Sequence, residues 1–164
     1  MAANDEPPLI SAVKARNIVE CRRLIDTGEA NVNGDRIQSG CWTALHMASL
    51  RCNLEISELL TSSGADVNIR NSSGWTALHY ASCNGRLEIV QLLLCQGADI
   101  SFRNNDGDTA LDLASSRGPL KVADCLRKWS WTMAIIIALK ENLAVYHLLD
   151  ASTIIDLWQY LGNQ

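Results

Sequence analysis

The sequence repeats itself along most of its 164 residues. Thr43, Thr76 and Thr109 begin the tetrapeptides TALH, TALH and TALD, and each lies 33 residues after the one before it. A weaker copy of the unit begins at Pro8 with an offset of 36 residues, because its following loop is three residues longer. A fixed step of this length predicts stacked, structurally equivalent units, each of which buries its apolar face only against its neighbours.

Each unit has the features of a turn followed by two short helices. Asn71–Gly74 and Asn104–Gly107 suit type I turns, with Asn at the first position and Gly at the last. Thr76 then stands where a helix N-cap belongs, and Gly85 ends the first helix. A second helix is predicted from Leu87 to about Cys95, with large aliphatic residues on one face. Small residues on the first helix and large ones on the second favour stacking.

These units resemble ankyrin repeats. The segment GWTALHYASCNGRLEIVQLLLCQGADI follows the family order of turn, TPLH-like tetrapeptide, helix, GxLEIV, second helix and GADVN. The resemblance is strong over residues 41–101, good over 105–129, and weak but in register over 8–40. Alanine replaces the family proline in each TALH, and Asp112 replaces the histidine in the fourth unit. The resemblance implies an all-α solenoid of stacked helix-turn-helix units joined by β-turn fingers.

We expect one ankyrin-repeat domain over residues 1–164. Thr132 and Leu143 can be aligned with Thr76 and Leu87, which predicts a degenerate fifth helix pair with helices near 132–140 and 143–150. The segment STIIDLWQYLG then predicts a helix that closes the stack. The predicted elements are repeats at about 8–40, 41–73, 74–106 and 107–130, a fifth pair at about 131–150, and a capping helix at about 152–162.

Composition argues against several classes of protein. A formal net charge of −4 and a pI near 5.3 argue against a nucleic-acid binder, which needs basic residues to neutralise phosphates. The longest apolar run, Met133 to Leu139, is far shorter than the roughly 20 residues that span a bilayer. The N-terminus has no secretory signal, and the six cysteines form no CxxC pair. We therefore expect a monomer with reduced cysteines in the cytoplasm or nucleus.

No residue pattern indicates catalysis, a metal or a cofactor. His46 and His79 occupy the same position of consecutive units, where they would lie on separate stacked repeats instead of converging on one substrate. The ankyrin resemblance implies that they hydrogen-bond the TALH threonine and neighbouring loop backbone. We interpret His147 as a surface or partly buried residue. The acidic residues of the turns are interpreted as turn and cap residues; they are Asp66, Asp99, Asp106, Asp108 and Asp112.

The resemblance also implies where a partner would bind. In ankyrin repeats the turn tips, the residue before the TALH threonine and the end of the first helix face the concave side. Trp42 and Trp75 share one of these positions, and their rings either form an aromatic binding patch or lie flat against neighbouring loops as packing. The predicted binding residues are Trp42, Leu50, Arg51, Ser72, Ser73, Trp75, Tyr80, Cys83, Asn84, Asn105, Asp106, Asp108, Ser116 and Arg117.

The sequence thus predicts a non-catalytic module, a small adaptor or inhibitor, that binds a protein partner through its concave face. One alternative is a recruiting subunit of a larger complex, such as a ubiquitin ligase, that docks through the C-terminal helix. Another is a fragment of a protein whose catalytic domain is missing from this chain. Separately, Asn68 in LTSSGADVN resembles the asparagines that are hydroxylated in ankyrin repeats; Asn33 fits less well, and Ser101 replaces the residue in the next unit.

Overall fold

The structure, a computed structural model, describes residues 6–37 and 40–142, and of residues 131 and 134–142 only the backbone. This part of the chain contains helices and two isolated antiparallel bridges, Ile37–Trp42 and Arg103–Thr109, but no strand. The prediction of an all-α fold is confirmed. The helices are α1 (Pro8–Lys14), α2 (Ile18–Asp26), α3 (Ala44–Arg51), α4 (Leu54–Ser62), α5 (Ala77–Cys83), α6 (Leu87–Cys95), α7 (Ala110–Arg117) and α8 (Leu120–Asn142).

The helices pack in two layers. The first helices of the units contact one another in the order α1, α3, α5, α7, and the second helices do so in the order α2, α4, α6. Alanines on the first helices allow close approach, while branched aliphatic residues on the second helices fill the space between layers. Fully buried examples are Ala44, Ala48, Ala77, Ala81, Ile56, Leu60, Ile89 and Leu93. Each repeat therefore builds its core with its neighbours, as the repeat pattern predicts.

The turn between the two helices of a pair needs a residue in the left-handed conformation. Arg16, Cys52 and Gly85 fill this position in the first three pairs, with φ angles of 55°, 57° and 68°. Only glycine adopts such angles without steric cost. In the fourth unit the corresponding turn differs, because Gly118 has an extended φ of −97°. Pro119 follows it, and α8 begins at Leu120.

The predicted break before Thr132 is wrong. Helix α8 runs without interruption from Leu120 to Asn142, so one helix replaces both the second helix of the fourth repeat and the first helix of the predicted fifth pair. This segment contains neither glycine nor proline. The Thr132 hydroxyl donates to the Lys128 carbonyl at 2.8 Å, a bond made inside a helix, instead of capping a new one.

Two compact units divide the chain, at residues 1–123 and 124–164. The first contains the helix layers and the loops described below, and the second begins inside α8. The second helix of the predicted fifth pair and the predicted capping helix at 152–162 lie outside the described residues, and so does His147. The single domain over 1–164 and the alternative of docking through the C-terminal helix stay predictions.

Candidate protein-binding surface

Three loops precede the first helices of the second, third and fourth repeats, and we call them finger 1 (residues 36–43), finger 2 (69–76) and finger 3 (102–109). Asn71 organises finger 2: its Oδ1 accepts the N–H groups of Ser73 and Trp75, and its carbonyl accepts the N–H of Gly74 at 2.9 Å. Asn104 makes the equivalent bonds in finger 3. Both asparagines are buried. The predicted Asn–Gly turns are thus closed by side chain and backbone together.

The fingers are hydrogen-bonded to one another. The N–H of Ser72 donates to the Gly40 carbonyl, and the N–H of Asn105 donates to the Ser73 carbonyl, both at 3.0 Å. The Asn105 amide nitrogen adds a second bond to the Ser72 carbonyl, also at 3.0 Å. The described residues of the three fingers therefore form one continuous row of loop tips.

The two buried histidines tie each first helix to the following finger. Nδ1 of His46 accepts the N–H of Thr43 at 3.1 Å, so the ring proton is on Nε2, which donates to the Trp75 carbonyl at 3.0 Å. His79 repeats this arrangement with Thr76 and the Phe102 carbonyl. Burial lowers the pKa of His46 to about 4 and also lowers that of His79. Both are neutral structural residues, as the resemblance implies.

Tyr80 lies between the two predicted tryptophans. The centroid of its ring is 4.5 Å from that of Trp42 and 4.7 Å from that of Trp75, with interplanar angles of 35° and 36°. The Tyr80 hydroxyl accepts the amide N–H of Asn71 at 2.8 Å. Burial raises the pKa of this hydroxyl. We call Trp42, Tyr80 and Trp75 the aromatic stack; it joins fingers 1 and 2 through helix α5.

The two tryptophan rings of the aromatic stack contact the ring of Tyr80 without being fully buried. All three rings are half-buried. Neither indole N–H has a hydrogen-bond partner within residues 6–37 and 40–142, and both are accessible to solvent. Both tryptophans thus pack against Tyr80 of α5, and a role for them in binding a partner stays a prediction.

Finger 3 ends the row differently. Asp108 stands at the position of Trp42 and Trp75, and neither it nor exposed Asp106 forms an ion pair with any described residue. Leu113 takes the position of Tyr80, and the buried amide nitrogen of Asn104 consequently has no partner among the described side chains. Finger 3 therefore has the same Asn–Gly turn, but it and α7 have no aromatic residue at the positions of Trp75 and Tyr80.

The comparisons with known proteins agree with this architecture. The family model of ankyrin repeats matches residues 1–71 and 63–133. The chain belongs to the ankyrin-repeat family. A comparison with curated proteins finds no match. Ankyrin repeats are generally protein–protein interaction modules, and proteins built from them are typically non-catalytic.

None of the fourteen binding residues predicted for this ankyrin-repeat chain is buried. Several also have structural bonds: the side chains of Asn84, Asn105 and Ser116 each bind a backbone carbonyl. The half-buried members are Trp42, Leu50, Trp75, Tyr80, Cys83 and Asp108. The exposed members are Arg51, Ser72, Ser73, Asn84, Asn105, Asp106, Ser116 and Arg117. They lie on the finger tips and on the last turns of the first helices.

Asn68 bridges two ankyrin repeats on the loops that follow the second helices. Its amide nitrogen donates to the Gly97 carbonyl at 3.1 Å, and its Oδ1 accepts the Asp99 N–H at 2.9 Å. Asn33 makes the same pair of bonds to Gly64 and Asp66. Sequence reasoning missed this bridge, although the two asparagines in register were its visible signal.

Two further site types are not found in the part of the chain that the structure describes. No group of three or more His, Cys, Asp or Glu residues is arranged to hold a metal ion there. No described helix, including the long α8, is apolar over enough residues to cross a bilayer.

Proposed function

We propose that this protein is a non-catalytic adaptor or inhibitor that grips one partner protein with its finger tips and first helices. The observation that supports this most is the aromatic stack, whose rings are half-buried and whose two indole N–H groups have no partner among the described residues. Tryptophan and tyrosine are enriched among the residues that carry most of the energy of protein interfaces.

The rings are held in place before any partner arrives. The Tyr80 hydroxyl accepts a hydrogen bond from the Asn71 amide, and the backbone carbonyl of Trp75 accepts one from His46. Binding therefore immobilises few side chains, and this reduces the entropic cost of association. Rigid aromatic side chains that carry a polar atom are typical binding residues for this reason.

The histidines support a non-catalytic role. A general base needs a free nitrogen within reach of a substrate. In His46 and His79 both ring nitrogens are hydrogen-bonded inside the protein, and each residue is about 1 % exposed. Neither can exchange a proton with a substrate without breaking the link between repeats.

Affinity capture from cell extract followed by mass spectrometry, repeated with a Trp42→Ala/Trp75→Ala variant, tests the proposal. Removing two residues that anchor an interface should weaken binding of the captured partner at least about 30-fold. A Val19→Ala/Leu120→Ala variant is the matched control, because these side chains are 76 % and 75 % exposed and lie on the second helices. Circular dichroism should establish that both variants fold.

Two results would argue against the proposal. One is unchanged affinity in the tryptophan variant; the other is an equal loss in the Val19→Ala/Leu120→Ala control. In the first case the partner binds elsewhere, and in the second it binds the second helices.

We also propose that the protein acts as a monomer in the cytoplasm or nucleus. The compartment is supported by the cysteines, since Cys21, Cys41, Cys52, Cys83 and Cys95 form no disulfide. Light scattering after gel filtration would reveal a larger assembly, and imaging of a tagged chain would reveal another compartment.

Asn68 is proposed as a hydroxylation site, on the basis of its sequence context. Its amide holds the next loop, so the modifying enzyme needs a locally opened chain. Incubation with an asparaginyl hydroxylase should add one oxygen atom to the peptide containing Asn68 and none in an Asn68→Ser variant. An unmodified Asn68 peptide after full incubation would exclude the site.

A further inference from the structure

The row of finger tips changes from aromatic to acidic along the stack. Trp42 and Trp75 occupy one position in fingers 1 and 2, and Asp108 occupies it in finger 3, with Asp106 exposed at the tip. Fingers 2 and 3 are joined directly, because the Asn105 N–H and amide bind the carbonyls of Ser73 and Ser72. The ring of Trp75 and the two carboxylates therefore belong to neighbouring loops of one surface.

The nearby cations do not neutralise these carboxylates. Arg70 donates to the Arg103 carbonyl, and its guanidinium lies 5.9 Å from the centre of the Phe102 ring. Arg103 donates to the Gly107 carbonyl and lies 3.8 Å from Asp112. Arg117 lies at the far end of α7, and an eight-residue helix is about 12 Å long. The carboxylates of Asp106 and Asp108 thus form no ion pair with a described residue, and they belong to the finger next to the one that carries Trp75.

We propose that this surface recognises an arginine of the partner, carried on an extended segment that crosses fingers 2 and 3. The guanidinium would pair with Asp106 and Asp108 while its stem and plane lie against Trp75. The free indole N–H groups would donate to backbone carbonyls of the same segment. This inference rests on the proposed function, since it names the chemistry of the partner at that surface.

Arginine fits this surface better than lysine for two reasons. Its guanidinium is planar, so it stacks on an indole and presents several donors to carboxylates at the same time. A lysine ammonium is a compact, strongly hydrated charge that loses more hydration when it is covered. An acidic segment would be repelled by the same two carboxylates.

The test uses the full chain and a random peptide library displayed on phage. Selected peptides should share an arginine at a fixed position, and a synthetic copy of the most enriched peptide should bind the wild-type protein. An Asp106→Asn/Asp108→Asn variant should weaken that binding at least about 10-fold, because the charge-assisted bonds are lost. The hydrogen bonds that these two residues form with described residues involve only their backbone atoms, so asparagine preserves the turn.

A Glu55→Gln/Glu88→Gln variant is the matched control. It removes the same number of negative charges from exposed positions on the second helices, so its affinity should stay within about twofold of wild type if only local charge matters. A charge-reversed Asp106→Lys/Asp108→Lys protein should select acidic residues at the position where wild type selects arginine.

The outcomes separate the inference from the proposed function. Peptides that depend on Trp42 and Trp75 but share no cation would overturn the inference and leave the proposed function standing. A shared arginine whose binding is unaffected by Asp106→Asn/Asp108→Asn would also overturn it. If no peptide is enriched, or if none depends on the tryptophans, both fail.

Discussion

The second and third repeats are linked forward to the next finger, whereas the equivalent residue of the fourth repeat makes no such link to any described residue. Nε2 of His46 and of His79 donates to a carbonyl of the following finger. At the same position of α7, the Asp112 carboxylate accepts the N–H and the hydroxyl of its own Thr109 at 2.9 and 2.7 Å. Asp112 thus still caps its helix, but its carboxylate has no N–H that could donate to a following loop. A histidine at this position both caps its own helix and hydrogen-bonds the next finger, whereas an aspartate only caps the helix.

The comparison predicts a large difference between His46→Ala and Asp112→Ala. Loss of the His46 ring removes an acceptor from the buried Thr43 N–H, removes the bond to Trp75 and leaves a cavity, so the free energy of unfolding should fall by about 3 kcal/mol. Loss of the exposed Asp112 cap should cost about 1 kcal/mol. Urea unfolding followed by tryptophan fluorescence measures both. Equal costs would mean that the forward bond contributes nothing.

Acid should weaken the forward-linked repeats before it affects the fourth. Burial lowers the pKa of folded His46 to about 4, from an ordinary value of 6.5. Between these values the unfolded chain binds a proton that the folded chain does not, so stability is complete above 6.5 and falls as the pH drops towards 4. The loss from His46 is at most about 3 kcal/mol.

Asp112 responds in a lower window. The Thr109 N–H and hydroxyl lower the pKa of its carboxyl below the ordinary 3.8, so its contribution is present above that value and is lost only at lower pH. Urea midpoints at about pH 7 and 4.5 should therefore differ strongly for wild type and much less for a His46→Gln/His79→Gln variant. A His147→Gln variant controls for the third histidine. If the urea midpoint of the His46→Gln/His79→Gln variant fell with pH as much as that of wild type, the two histidines would not be the cause of the acid sensitivity.

The turn of the third repeat provides a second forward contact. A Cβ on Gly85 would lie 2.4 Å from two ring carbons of Pro119, and its φ is +68°. Gly64 has a similar φ of +86°, but no described atom lies within 4 Å of the place that a Cβ would take there. Gly85→Ala should therefore cost about 2 kcal/mol or more, and Gly64→Ala about 1 kcal/mol, in urea unfolding.

The control for this prediction is Cys52→Gly, at the same turn position of the second repeat. Cys52 already has a φ of 57°, so glycine there should be neutral or slightly stabilising. If Gly85→Ala and Gly64→Ala lower the free energy of unfolding equally, the Pro119 ring moves aside for the added Cβ and the close contact does not require glycine.

Features that depend on local periodicity could be predicted from the sequence. Helix α6 has its predicted bounds of Leu87 and Cys95, and the Asn–Gly turns form as expected. The prediction of a helix break before Thr132 was wrong because similarity to a capping position is weak evidence when no helix-breaking residue accompanies it. A threonine inside a helix can satisfy its hydroxyl against the preceding turn, as Thr132 does.

Features that depend on the spacing between repeats could not be predicted. The position of Tyr80 between Trp42 and Trp75 requires the distance from finger 1 to α5, which no single repeat encodes. The unpaired amide of Asn104 could be foreseen only with knowledge of the contact between Asn71 and Tyr80, because Leu113 replaces that tyrosine in α7. Sequence reasoning named all three aromatic residues as candidates but left open whether the tryptophans pack or bind.

The smallest effect concerns the loops after the second helices, where the forward link stops one repeat earlier. Asn68 bridges to Gly97 and Asp99, but within the described residues the Ser101 side chain hydrogen-bonds only Asp99 of its own loop. Asn68→Ser should convert one loop into the other and lower the free energy of unfolding by about 1 kcal/mol, since water replaces part of the lost bonds at this half-buried site. Ser101→Ala, the matched control, removes no bond between repeats and should change stability by less than about 0.5 kcal/mol. Equal losses in urea unfolding would show that the two loops are equivalent and that the bridge adds nothing to stacking.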